Sequence, residues 1–329
     1  MKKTIKLIAL AIICVMLLTL CLTGCGSSKE SILIYTSVED YVVEDLSAQL
    51  NAQFPDYAIT VEYVSTGTHA AKLLAEGGNS ECDITYDLEY AYLSQLEKAN
   101  VLADLSSYDQ SIYSEDVIAS DKYLVQCRVG GAIIINTDVL SQKGIAEPTS
   151  YEDLLKPEYK GLISMANPKS SGTGYMFYKS LVNAWGEQKA LEYFDKLNEN
   201  ILQYTSSGAG PVNALLLGQA AIGFGMTSNA VTQINEGAPL KILFFEEGSP
   251  FTLYGMSMVS GKETRESVRE VFDYLVKTYN YRLNEKFFPE EMFKGVNPKV
   301  QNYPEGITYA DMSNNSPDEK TRLLGLWKY

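Results

Sequence analysis

The chain has 329 residues, 27 basic and 41 acidic side chains, and a formal net charge of −14 at pH 7. That balance excludes a nucleic-acid surface, which needs a basic patch. A single histidine excludes the two-histidine helix of zinc proteases, and five cysteines without paired Cys/His spacing exclude a structural zinc site.

Lys2, Lys3 and Lys6 open the chain. An apolar run from Leu7 to Leu22, broken only by Thr19, leads into Leu22-Thr23-Gly24-Cys25. A basic head, an apolar middle and small residues before a cut describe a secretory signal. The run of 16 residues is short of the about 20 that a helix needs to cross a bilayer core. Its ending resembles the bacterial lipobox, which implies cleavage before Cys25 and diacylglycerol on the Cys25 sulfur. Residues 1–24 then read as a lipoprotein signal peptide. Residues 25–30 read as a flexible tether of small polar residues. The expected location is the outer face of the cytoplasmic membrane. The remaining 305 residues lose three lysines and no acid, so the charge falls to −17. At about 150 residues per domain this length suits two domains. Cys82 and Cys127 read as buried thiols on neighbouring strands, with a disulfide as the alternative. The 23 tyrosines suit a wet cleft, since each has an apolar face and a polar tip.

Ile32-Leu33-Ile34-Tyr35 reads as a buried strand. Thr36 and Ser37, with Glu39 just beyond, read as a capping box that opens a helix running to about Phe54. Ala58 to Val64 predicts a second strand, Ser65 to Thr68 a polar turn, and His69 to Ala75 a helix. Asp83 to Tyr86 is a third strand and Tyr90 to Lys98 a third helix. A second set follows: a strand at Ala132 to Ile135, a capping box at Thr149 to Glu152, and a strand at Gly161 to Met165. Asn167 to Gly174 reads as a loop before helices at Tyr175 to Trp185 and Glu187 to Leu197. Thr205 to Gly210 is a loop, and Pro211 starts a helix, where its missing N–H costs nothing. Strands are expected at Ala221 to Phe224, Leu240 to Phe245 and Leu253 to Val259, and a long helix at Thr264 to Asn280. An irregular tail from Pro289 ends in a short helix near Leu323 to Trp327. Strands alternating with helices predict doubly wound α/β sheets, whose ligand sites gather at the carboxyl ends of the strands.

Taken in order, these segments resemble the type II periplasmic-binding-protein family, in particular its iron(III), thiamine and phosphonate group. The matching pieces include Leu33-Ile34-Tyr35-Thr36-Ser37, Val64-Ser65-Thr66-Gly67-Thr68, Ile134-Ile135-Asn136-Thr137-Asp138, Ala166 through Tyr175, Ser206-Ser207-Gly208, and Gly248 to Val259. The resemblance implies two α/β lobes with a ligand cleft between them and a hinge crossed more than once. Residues 31–130 plus about 252–280 would form lobe 1, and about 131–251 plus 281–329 lobe 2. It also implies an ABC permease and ATPase as partners, with the membrane reached through the lipid on Cys25. A monomer without cofactor or metal is expected.

The candidate ligand-binding residues follow from the turns. Ser170, Ser171, Gly172 and Thr173 join a strand to a helix, where free N–H groups and hydroxyls favour an anion. Ser206, Ser207 and Gly208 repeat the arrangement, and Ser65, Thr66 and Thr68 would close from the other lobe with Ser37. Ordinary capping is the competing reading. His69 follows the Ser/Thr turn and is a further candidate. Asp87 and Glu89, beside Tyr86 and Tyr90, would read a positive or hydroxylated end through charge and ring contact. Arg128 either pairs with an anionic ligand group or makes a surface ion pair. Iron binders of the family place two adjacent tyrosines near the Ala221 to Phe224 strand. Here Ile222 through Ser228 has none, which lowers the iron reading.

The expected solute is thus a phosphorylated or phosphonate organic anion. Iron or an iron chelate, and a polyamine or thiamine-type cation, are the alternatives. An enzyme finds little support: Gly255-Met256-Ser257-Met258-Val259 lacks the last glycine of a nucleophile elbow, and there is no Walker loop or dinucleotide fingerprint. A carboxylate-pair hydrolase or a sensory surface lipoprotein remains as the rival class.

Overall fold

The computed structural model describes residues 29–329 apart from 115, 116, 118, 119, 291, 297 and 298. The signal segment, Cys25 and most of the tether lie outside the described residues. The chain begins β1 (Glu30–Thr36), α1 (Asp40–Gln53), β2 (Tyr57–Tyr63), α2 (Thr66–Glu76), β3 (Ile84–Glu89) and α3 (Tyr90–Lys98). It continues β4 (Leu124–Asn136), α4 (Thr137–Lys143), β5 (Ile163–Ala166), α5 (Gly172–Trp185), α6 (Glu187–Leu197), β6 (Ile201–Thr205) and α7 (Gly210–Leu216). It ends β7 (Ile222–Met226), α8 (Thr227–Asn235), β8 (Leu240–Leu243), β9 (Phe251–Met258), α9 (Glu266–Tyr274), α10 (Asn280–Lys286) and α11 (Pro317–Leu326).

The strands lie in the order β2-β1-β3-β9-β4-β7-β5-β6, with β8 also on β4. β1 pairs parallel with β2 and β3; β5 pairs parallel with β6 and β7. Strand β4 belongs to both halves. Its Leu124–Gly130 portion pairs with β9, and Gly131–Ile135 pairs with β7. The chain therefore passes between halves at Gly130-Gly131 and returns between β8 and β9.

Each half has its own core. Ile32, Ile34, Leu46, Ile84, Met256 and Phe272 anchor the first; Ile135, Ile163, Phe177, Phe194 and Phe224 anchor the second. Helix α1 buries Val42, Leu46 and Leu50, four residues apart on one face. Helix α6 buries Ala190, Tyr193, Phe194 and Leu197 by the same periodicity.

Several boundaries differ from expectation. The capping box at Thr36 does not form, because β1 runs through Thr36 and its hydroxyl accepts from Val38 N at 3.2 Å. Helix α2 starts at Thr66, so the expected turn is its first turn. Strand β4 has 13 residues, all buried; Gln126 and Arg128 in its first half hid it from an apolar pattern. β6 and α8 were not expected. The long helix continues through a π-helical Leu275–Tyr279 to Lys286, and Leu283, Phe287 and Phe288 pack into the first core although their segment was allotted to the second lobe. Cys82 and Cys127 are free and buried, but β9 separates their strands, so they are not neighbours.

Candidate ligand cleft

Parallel strands deliver the turns that follow them to one sheet edge. In the first half this gathers Ser37 and Glu39 after β1, Tyr63 at the end of β2, Thr66 opening α2, and Asp87 in β3. Val129 of β4, Tyr254 of β9 and Phe288 complete that wall. The second half contributes Ser170 and Ser171 between β5 and α5, Thr173 in the first turn of α5, Ser206, Ser207 and Gly208 between β6 and α7, and Met226 ending β7. The two walls nearly meet. Gly67 N donates to Ser170 O at 3.5 Å across them, and the inner pocket has about 10 Å³ of free space, room for one water. An outer chamber of about 440 Å³ shares Glu39, Tyr63, Ser206 and Ser207 with it. Asp40, Tyr41, Glu44 and Asn229 add to its lining.

The second wall is a set of hydrogen-bond donors. Ser171 is the N-cap of α5, with extended backbone, yet its hydroxyl makes no capping bond. Capping therefore does not occupy this hydroxyl, and the helix N-terminus beside it carries partial positive charge. Thr205 Oγ1 donates to Ser207 O at 3.0 Å and shapes the second turn. A third strand-to-helix turn, from β7 to α8, brings Thr227, Ser228 and Asn229. They are 0%, 3% and 3% exposed, and Thr227 Oγ1, Ser228 Oγ and Asn229 Nδ2 have no hydrogen-bond partner. Tyr41 Oη, which Ser228 approaches from the other half, is also without one. A buried polar atom left unpaired costs about 1–3 kcal/mol; of these residues Tyr41 and Asn229 line the outer chamber, where a polar ligand would complete them.

The first wall is acidic. The register of β3 slips between Thr85 and Leu88, and Asp87 takes a left-handed φ of 57°, which Asp tolerates better than most residues. Gln126 Nε2 donates to Asp87 Oδ1 at 2.8 Å, and Ser37 Oγ donates to Asp87 O. Burial, and then the nearby Glu39, push the Asp87 carboxyl well above the usual carboxylate range. Burial pushes Glu39 up to about 7, with Asp40 adding to the effect.

That shift has a sign. A carboxyl whose folded pKa is raised supports the fold at low pH and loses that support as pH rises through about 7. Glu39→Gln should therefore match the wild type at pH 5. At pH 8 it should be more stable by on the order of 2 kcal/mol. Denaturant unfolding at the two pH values checks this; a constant difference would show that Glu39 is ordinary.

Other expected site residues lie elsewhere. Ser65 and Thr68 bond to each other at 3.1 Å on the rim and do not line the inner pocket; Thr66 does. Gly172 presses its backbone against Tyr254 Oη at the pocket wall. His69 is fully buried, and its Nε2 lies 2.9 Å from Thr85 Oγ1. Burial, then Lys72, lower its pKa to about 3, so it is a neutral packing residue away from the cleft. Glu89 faces the other way as well: its carboxylate accepts from Lys320 Nζ and from Thr252 Oγ1. Arg128 stacks over Phe251 and Tyr309, 5.2 and 5.6 Å from their centroids, and does not line the cleft. Glu39, Tyr41, Tyr63, Tyr254 and the β7–α8 turn were missed. The last had a readable signal, since Thr227-Ser228 follows a strand just as Ser170-Ser171 and Ser206-Ser207 do.

Residues 83–316 match the family model described as bacterial extracellular solute-binding protein. An uncharacterised protein of Haemophilus influenzae is 26% identical over 263 residues, 78% of this chain and 75% of its own length. The spermidine/putrescine-binding periplasmic protein of Escherichia coli is 23% identical over 79% of this chain and 77% of its own. Among solved structures, the periplasmic binding protein P5PA has a TM-score of 0.80 at 25% identity, covering 91% of this chain and 98% of that one. AfuA from Actinobacillus pleuropneumoniae, solved with fructose-6-phosphate bound, has a TM-score of 0.78 at 24% identity over the same shares. The two-lobed α/β fold is the one these periplasmic binding proteins share.

Proposed function

The chain belongs to the family of bacterial extracellular solute-binding proteins, and from that footing we propose that it captures a small organic phosphate or phosphonate for an ABC importer. The family and the solved structures it resembles are those of solute-binding proteins, and proteins of this family hand small solutes to ABC permeases. Among the described residues no helix is long and apolar enough to cross a membrane. In this reading the lipid on Cys25 holds the protein outside the cytoplasmic membrane, and the two lobes, the first now including Leu283, Phe287 and Phe288, close around the solute.

The observation that carries the proposal is the donor wall. Two strand-to-helix turns line the inner pocket, the Ser171 hydroxyl is not used as a cap, and Asn229 of the third turn lines the outer chamber with its Nδ2 unpaired. Hydroxyls and helix N-termini of this kind suit the oxygens of a phosphoryl group. The fructose-6-phosphate in AfuA supports a phosphorylated solute. A polyamine, as the name of the Escherichia coli relative suggests, is the second reading, and the acidic first wall favours it.

Ser171→Ala with Thr173→Ala separates the two. Losing hydrogen bonds to a charged group costs about 1.5–3 kcal/mol each, so affinity for an organophosphate should fall more than tenfold. The free protein should melt within a few degrees of wild type, because neither hydroxyl is a helix cap. Calorimetric titration checks it, and unchanged affinity would remove this turn from the site.

A further inference from the structure

The chain crosses between halves at Gly130-Gly131 and again at Ser249-Pro250, and the two crossings are bonded to each other. Gly131 N donates to Pro250 O at 2.7 Å, and Ser249 Oγ donates to Gly131 O at 2.7 Å. Their backbone groups satisfy one another, yet a carboxylate lies against them. Glu290 is 6% exposed. A Cβ on Gly130 would lie 3.3 Å from Glu290 Oε1 and 3.4 Å from Ser249 Oγ. Tyr303 Oη donates to Glu290 Oε1 at 2.7 Å, and Tyr309 Oη donates to Oε2. The Arg128 guanidinium lies over the Tyr309 ring, and its charge favours the ionised form of Glu290.

These partners belong to different lobes. Phe287 and Phe288, just before Glu290, pack into the first core. Met292 and Phe293, just after it, pack with Val125 and Leu253 of the same half. The tyrosines are held by the second half. Asn235, the last residue of α8, donates from Nδ2 to Gln301 O at 2.9 Å and accepts at Oδ1 from Asn302 Nδ2 at 2.7 Å. That fastens the turn before Tyr303. Beyond Tyr309, Asn183 of α5 donates to Asp311 O and Ser313 O at 2.9 and 3.0 Å, and Met312 packs against the second core. Rotation at the two crossings would draw both hydroxyls away from the carboxylate. A buried carboxylate stripped of its partners is costly, so the closed arrangement is favoured.

We infer that Glu290 is a positioning residue for solute capture: rooted in the first lobe and hydrogen-bonded to Tyr303 and Tyr309 of the second, its carboxylate holds the lobes closed at their pivot. Glu290 lines neither the inner pocket nor the outer chamber, so it acts through the angle between the lobes, whatever the class of solute. The helix that fastens the turn before Tyr303, α8, carries Asn229 of the outer chamber in its first turn. Pivot and cleft thus share one rigid element.

The test reads the lobe angle without any solute. Spin labels on Ala52→Cys in α1 and Lys196→Cys in α6, both exposed, report the distance between lobes by double electron–electron resonance; Cys82 and Cys127 are buried. The protein with intact Glu290 should show a short-distance population. Glu290→Ala should lower the ratio of closed to open molecules about tenfold or more. Tyr303→Phe with Tyr309→Phe removes only the two hydroxyls and should shift the distances the same way. Glu290→Gln keeps an acceptor for one hydroxyl and offers its amide to the other, so it should restore most of the closed population. Circular-dichroism melts confirm that each variant folds. Only long distances with Glu290 intact, distances unmoved in both the alanine variant and the double phenylalanine variant, or no rescue by glutamine would each overturn the inference. A lower melting point with unchanged distances would make Glu290 a packing residue and overturn it too. None of these outcomes bears on the phosphoryl reading, which rests on binding.

Discussion

Gly67→Ala should weaken solute binding about tenfold to a hundredfold while leaving the free protein as stable as wild type, or slightly more so. Gly67 sits in the first turn of α2, in the lobe opposite Ser170. A Cβ placed there would lie 2.6 Å from Lys169 O and 3.6 Å from Ser170 Cα, both backbone atoms of the other lobe. No rotamer change relieves a clash between two backbones; only separating the lobes does. Within its own helix the alanine is favoured over glycine by about 1 kcal/mol. The substitution therefore acts on closure and not on folding. Apparent affinity falls by the fraction of molecules that can still close. Titration calorimetry gives the loss, and small-angle scattering with saturating solute should show a larger radius than the wild-type complex. Unchanged affinity and radius would mean that closure does not need this approach.

The largest loss of stability is expected at a different contact between the lobes. Lys320 of α11 pairs with Glu89 of β3, their side chains 3% and 1% exposed. The ammonium also lies 4.0 and 4.4 Å from the Tyr92 and Tyr175 ring centroids. Lys320→Met would fill the same space and leave Glu89 buried beside only Thr252 Oγ1. Removing one partner of a buried pair costs about 3–5 kcal/mol, whereas replacing both by apolar groups is often neutral. Lys320→Met should thus lower stability by about 3–5 kcal/mol, and adding Glu89→Leu should recover most of it. Denaturant unfolding of the two variants checks the cycle. A double variant as weak as the single one would mean that packing, and not charge, holds α11 in place. The same pair explains why Glu89 is not available to a ligand, although its position beside Asp87 suggested otherwise.

Much of the architecture was legible because it rests on periodicity. α6 came out as Glu187–Leu197 because its buried residues repeat at helical spacing. The parallel turns at Ser170 and Ser206 could be assigned to one edge because strands and helices alternate. What escaped was decided by pairing and not by pattern. The first half of β4 carries Gln126 and Arg128, whose partners, Asp87 and the rings of Phe251 and Tyr309, lie far off in the chain. Asp87 reaches the cleft through a bulge, and Glu89, two residues on, takes a charge partner 231 residues away. His69 follows a polar turn in the sequence, yet that turn is the first turn of α2, which carries His69 inward against Thr85. Glu39 read as part of a cap and instead lines the pocket, because β1 extends one residue further than its apolar run.

The central claim, capture of an organic phosphate or phosphonate, is tested most directly by thermal unfolding of the protein against a solute panel. The panel holds 2-aminoethylphosphonate, hexose phosphates, phosphoglycerate, ferric citrate, thiamine, polyamines and simple sugars. A solute at about 100 times its dissociation constant adds about 2.7 kcal/mol to stability, which raises the midpoint by several degrees. That shift is expected from a phosphate or phosphonate and not from polyamines, iron or unphosphorylated sugars. A shift from a polyamine or ferric citrate alone would contradict it.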